Sequence, residues 1–93
     1  LFAEDVPLTE IVSKVGTPVY VYSKRHFIER LQSIEKAFEN QAHMVCFALK
    51  ANNNPEVLRL FAGQGSGADV VSAGELAMAL TAGIPPEKIV FAG

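Results

Sequence analysis

The sequence predicts an α/β fold with parallel strands, and three observations carry that expectation. Short apolar runs begin near residues 44, 68 and 89. The first two are each followed by an amphipathic stretch that opens on a capping residue and closes on glycine. Strands joined through helices in this way run parallel, because antiparallel neighbours need only a tight hairpin. The pattern admits two architectures: an open doubly wound sheet, or the first quarter to third of a (β/α)8 barrel, which typically needs ~250 residues.

In chain order, Thr9 is the expected cap of a short helix with Ile11, Val12 and Val15 near helical spacing and Gly16 as its stop. Thr17-Pro18 interrupts it, and Val19-Tyr20-Val21-Tyr22 are strand formers, with Pro18 favouring an edge position. Ser23 caps the clearest amphipathic helix, whose apolar set is Phe27, Ile28, Leu31, Ile34 and Phe38, with Asn40 as its stop. His26 and the charged residues around it form a solvated face. His43 precedes the next strand, at the end opposite its lysine.

That strand, the apolar run from His43 to Leu49, delivers Lys50 to a polar loop, Asn52-Asn53-Asn54-Pro55. Strand alternation puts Met44, Cys46, Ala48 and Lys50 on one face and Val45, Phe47 and Leu49 on the other. The small residues on the lysine face leave room for a bulky group. A lysine at a strand end either snorkels to solvent or, when its amine is neutral, attacks an aldehyde to form a Schiff base.

Asn54, Pro55 and Glu56 are a cap, a first-position proline and an acid in the first turn, so a helix starts there. The glycines of Gly63-Gln64-Gly65-Ser66-Gly67 follow a helix and precede a strand. A phosphate-cradling loop requires the reverse order, so they read as a turn. Ala68 to Val71 is the second strand, Ser72-Ala73-Gly74-Glu75 is a capping box, and Gly83-Ile84-Pro85-Pro86 ends that helix before the strand Ile89-Val90-Phe91. If Val70 packs against helices, Asp69 faces the lysine side of the sheet; otherwise it is a turn residue bonding local amides.

The 93 residues are 49% hydrophobic with net charge −2, and the eight Lys and Arg are scattered without a stripe. Nucleic acid and membrane surfaces are therefore excluded as expected partners, and no apolar run approaches the ~20 residues of a membrane span. A single cysteine, Cys46, builds no disulfide framework and suits a reducing compartment, the cytoplasm. Opening on Leu1 and closing on Phe91-Ala92-Gly93, the chain reads as a piece of a longer protein.

The blocks Phe47-Ala48-Leu49-Lys50-Ala51-Asn52 and Gly67-Ala68-Asp69-Val70-Val71-Ser72-Ala73-Gly74-Glu75-Leu76 resemble the fold-type III pyridoxal-phosphate decarboxylases. The resemblance runs from about Gly16 to Gly93 and is strongest to the diaminopimelate-decarboxylating branch. It implies the barrel, with residues 24–93 supplying the first helix and first three strands, and residues 1–23 belonging with a β-rich domain built by the carboxyl half. It implies pyridoxal 5'-phosphate as cofactor, Lys50 as its carrier and Asp69 as the active-site aspartate, with no metal. It further implies decarboxylation of meso-2,6-diaminopimelate to L-lysine by a homodimer, and an isolated chain that is inactive. Ornithine and arginine decarboxylases, and a barrel homologue that only binds protein, are the alternatives. Alanine racemases fit less well, since their tyrosine-rich continuation is replaced by Asn52-Asn53-Asn54-Pro55.

Overall fold

The computed structural model describes all residues, Leu1–Gly93. A two-stranded antiparallel hairpin, β1 (Phe2–Ala3) and β2 (Val6–Pro7), leads into α1 (Leu8–Val15) and α2 (Lys24–Ala37). There follow β3 (Cys46–Ala48), α3 (Pro55–Gly63), β4 (Gly67–Val70), α4 (Ala73–Ala82) and β5 (Ile89–Phe91). The three later strands form one parallel sheet in the order β3-β4-β5.

The helix signals act as the side-chain chemistry demands. Ser23 Oγ accepts the His26 amide at 3.1 Å, Asn54 Oδ1 accepts the Glu56 amide at 2.9 Å, and Ser72 Oγ accepts the Glu75 amide at 3.1 Å. In return the Glu75 carboxylate accepts the Val71 amide at 2.8 Å, one residue earlier than in the usual capping box. Gly16 and Gly83 close α1 and α4 with positive φ of 77° and 101°.

Four expectations change. Thr9 lies inside α1, which Pro7 precedes without a side-chain cap. Val19 to Tyr22 join no strand: β-forming side chains favour extended backbone, but a strand also needs a partner alongside, and all four are exposed. α2 ends at Ala37, short of Asn40, with Phe38 at its C-cap. The first sheet strand spans only Cys46–Ala48, and Leu49–Ala51 wind into a 3₁₀ turn.

One sheet face carries Phe47, Ala68, Val70 and Ile89, the other Cys46, Ala48, Gly67, Asp69 and Val90. α3 and α4 cover the first: Leu49, Leu58, Ala68, Val70, Ala79 and Ile84 form the core. Beside it Leu31, Val57 and Phe61 bring in α2, with Phe61 stacked on Phe47 at 4.1 Å between ring centroids. The result is a slab 43 × 33 × 19 Å, a sheet with helices on one face. Its radius of gyration, 15.1 Å, exceeds the ~12 Å of a compact domain this long. Only 11 residues are buried, so the chain has one wall of a core and not a closed one.

Polar clasps hold the edges. The hairpin tip places Glu4 at the start of α2, where its carboxylate accepts the Ser23 hydroxyl at 2.8 Å and the Arg25 amide at 2.9 Å. The bond from the Arg25 amide, then that from Ser23, hold the Glu4 carboxyl below its ordinary range. At the far end of α2, His43 donates to the Gln41 carbonyl at 2.9 Å and to Glu35 at 2.8 Å. Two donated bonds require imidazolium, so the Gln41 carbonyl, followed by Glu35, raises the His43 pKa above its ordinary 6.5. A raised folded-state pKa contributes stability that is complete below the unfolded pKa and fades as pH rises through the folded one. His43→Gln is therefore expected to destabilise the protein at pH 5.5 and to matter little at pH 9, read by denaturant midpoints at both; an equal loss at both would contradict the clasp.

Candidate active site

In parallel α/β folds, binding sites form at the carboxyl ends of the strands. Lys50 is at that edge, two residues beyond the end of β3. It sits in the 3₁₀ turn, not the strand, so the alternation that grouped it with Cys46 and Ala48 stops at Ala48. The turn forms because fully buried Leu49 stays locked in the core while the Asn52 amide folds back to the Leu49 carbonyl at 3.1 Å. Lys50 is exposed, and its amine takes part in none of the chain's ion pairs.

Asp69 pairs in register with Ala48 on β3 and Val90 on β5. Because Val70 is fully buried under the helices, Asp69 points to the opposite, uncovered face, as alternation requires. Its Oδ1 atom is buried and accepts no hydrogen bond. Asp69 is therefore not bonding turn amides through that oxygen. A buried carboxylate oxygen without a donor costs roughly 1–3 kcal/mol, so it marks a place where a donor or cation belongs.

The surroundings are small. Cys46, Ala48 and Gly67 share the face with Asp69. The Cys46 thiol is pushed above its ordinary pKa, first by burial and then by the negative Asp69, and so stays protonated. At Gly67 a Cβ would collide with the Lys88 carbonyl and lie 2.9 Å from Cys46 Sγ, so only glycine fits. The glycine run before β4 is at the amino-terminal edge, as the order of elements indicated. A groove of about 490 Å³ opens on the helical side among Tyr22, Phe27, Val57 and Leu60. It includes neither Lys50 nor Asp69.

A family described as "Pyridoxal-dependent decarboxylase, pyridoxal binding domain" matches residues 24–93. The chain belongs to the pyridoxal-dependent decarboxylases. Within that family it is 50% identical over its whole length to the diaminopimelate decarboxylase of Aquifex aeolicus, of which it spans 22%. A crystal structure of diaminopimelate decarboxylase from M. jannaschii matches 99% of the chain at 38% identity and a TM-score of 0.95. The Helicobacter pylori enzyme complexed with L-lysine matches 91% at 40% identity and a TM-score of 0.87. The chain covers 23% and 22% of those two. The parallel β/α order is thus that of the opening of the barrel, and the doubly wound alternative falls away.

The residues present suit pyridoxal phosphate. An exposed primary amine at the strand edge can meet an aldehyde, small side chains leave space over the sheet, and the orphaned Asp69 oxygen can accept from a cationic nitrogen. Sequence reading missed two features of the site: the 3₁₀ turn under Lys50 and the side-chain bonds of Asn52. The asparagine run itself was the signal for the second, since such side chains compete for local backbone amides.

Proposed function

We propose that this chain supplies the cofactor-lysine end of a decarboxylase that converts meso-2,6-diaminopimelate to L-lysine and CO2. The observation that carries the reading is the donor-less buried Asp69 oxygen on the strand in register with β3, whose carboxyl end leads to an exposed Lys50 two residues on. The named relatives support the substrate. Pyridoxal phosphate, when bound, supplies the electron sink for the pair left behind as CO2 departs.

The chain's own residues do the rest. Lys50 would hold the cofactor through its side-chain amine, the group that exchanges with the substrate amine. Asp69, on the uncovered face, would accept through its donor-less oxygen from a cationic nitrogen of the bound group. Ala48 and Gly67 keep the floor low, and Cys46, held as a thiol, adds no second negative charge.

In this reading the protein works as a homodimer in the cytoplasm, and residues 1–23 pack with a β-rich domain. The exposed strand-forming run Val19 to Tyr22 supports that placement. CO2 release by the full-length protein, assayed with diaminopimelate, ornithine and arginine, tests the function. Preference for diaminopimelate by at least about tenfold in kcat/KM, roughly 1.4 kcal/mol of discrimination, is the expected result. Preference for ornithine or arginine would reassign the substrate, and no release from any would remove the enzymatic reading.

A further inference from the structure

Lys50 makes no ion pair or hydrogen bond of its own, so the placement of its amine is inherited from the backbone that carries it. Upstream the turn is pinned by Leu49, fully buried among Leu58, Val70 and Ile84. Downstream it is tied by a relay of asparagines. The Asn52 amide donates to the Leu49 carbonyl at 3.1 Å, Asn52 Oδ1 accepts the Asn54 amide at 3.0 Å, and Asn54 Oδ1 accepts the Glu56 amide at 2.9 Å.

The two asparagines do different work. Asn54 is the N-cap of α3, and losing it costs helix stability. Asn52 caps nothing. Its φ of −165° is extended backbone that any residue adopts, so conformational freedom does not explain the residue type. What its side chain does is satisfy one backbone amide between the lysine turn and the helix cap.

We propose that Asn52 is a positioning residue for Lys50, setting the pose of the lysine turn through its bond to the Asn54 amide. The proposal rests on the reading of Lys50 as the cofactor lysine. Removing the bond loosens residues 52–53 and the end of the turn while leaving the α3 cap and the Leu49 anchor intact. The amine then samples more positions, and its capture of the cofactor aldehyde slows.

The test follows cofactor capture by the cofactor-free full-length protein, through the visible absorbance of lysine-bound pyridoxal phosphate, together with the thermal midpoint of the same cofactor-free protein. Asn52→Ala is expected to slow capture by about 3- to 10-fold, the worth of one ordinary hydrogen bond, with a nearly unchanged midpoint. Asn52→Ser, which keeps a short neutral acceptor, should restore most of the rate. Asn54→Ala should lower the midpoint by a few degrees with a smaller effect on capture. Wild-type capture by Asn52→Ala overturns the proposal, as does a midpoint loss matching that of Asn54→Ala with capture slowed equally in both. Lys50→Ala, run alongside, separates the two levels. If it captures with wild-type absorbance, the lysine reading falls and takes the proposal with it. If it abolishes capture while Asn52→Ala is normal, only the proposal falls.

Discussion

A full-length protein carrying Lys50→Ala is expected to bind pyridoxal phosphate without the absorbance of the lysine-bound form and to lose turnover by about 10²–10⁴-fold, the range for a positioned group that handles protons. Its stability should not change. The side chain is exposed and takes part in no ion pair. Surface truncations of that kind usually stay within about 0.5 kcal/mol. A large activity loss with no stability loss is the signature of chemistry, and a thermal midpoint that falls with activity would point to structure instead.

Asp69→Ala is expected to move the two quantities in opposite directions. In the chain as folded, Asp69 leaves a buried oxygen without a donor, so replacing it with a methyl group removes a desolvation cost of roughly 1–3 kcal/mol. The cofactor-free protein should therefore be as stable as wild type or more so. Turnover should fall by about 10- to 150-fold, the equivalent of one charge-assisted hydrogen bond of about 1.5–3 kcal/mol. Such an exchange of stability for activity is typical of functional polar groups. If Asp69→Ala turns over like wild type, the orphaned oxygen has another explanation. If the variant is destabilised, Asp69 is a structural residue whose partner is local.

Much of this architecture was legible because it is written in short-range chemistry. Ser23, Asn54 and Ser72 announce their helices by being acceptors immediately before apolar periodicity, and each makes the bond its position implies. The direction of Asp69 could be read from β4 because period-2 alternation is strict and Val70 is plainly a core residue. The apolar run predicts Lys50 at the carboxyl edge, but strand alternation does not carry it there. Three residues of β3 alternate, and then the buried Leu49 and the bond from Asn52 turn the chain out of the strand. Alternation cannot foresee a 3₁₀ turn, because the turn depends on what Leu49 packs against.

The remaining features depended on partners far along the chain. The β1–β2 hairpin is held by Glu4 reaching Ser23 and Arg25, some twenty residues away, and two-residue strands leave no periodic trace. Val19 to Tyr22 have strand composition without a neighbouring strand, and side-chain propensity cannot supply one. The closeness of Gly67 to Lys88 and Cys46 requires β4 and its neighbours to be in register before it exists at all.

The central claim is that Lys50 carries the cofactor, and chemical trapping tests it most directly. The full-length protein, loaded with pyridoxal phosphate, is reduced with borohydride to lock the lysine–cofactor bond, digested, and its peptides weighed. The account predicts the added mass on the peptide containing Leu49-Lys50-Ala51 and on no other. Modification of Lys24, Lys88 or any other lysine in place of Lys50, or of none, would contradict it.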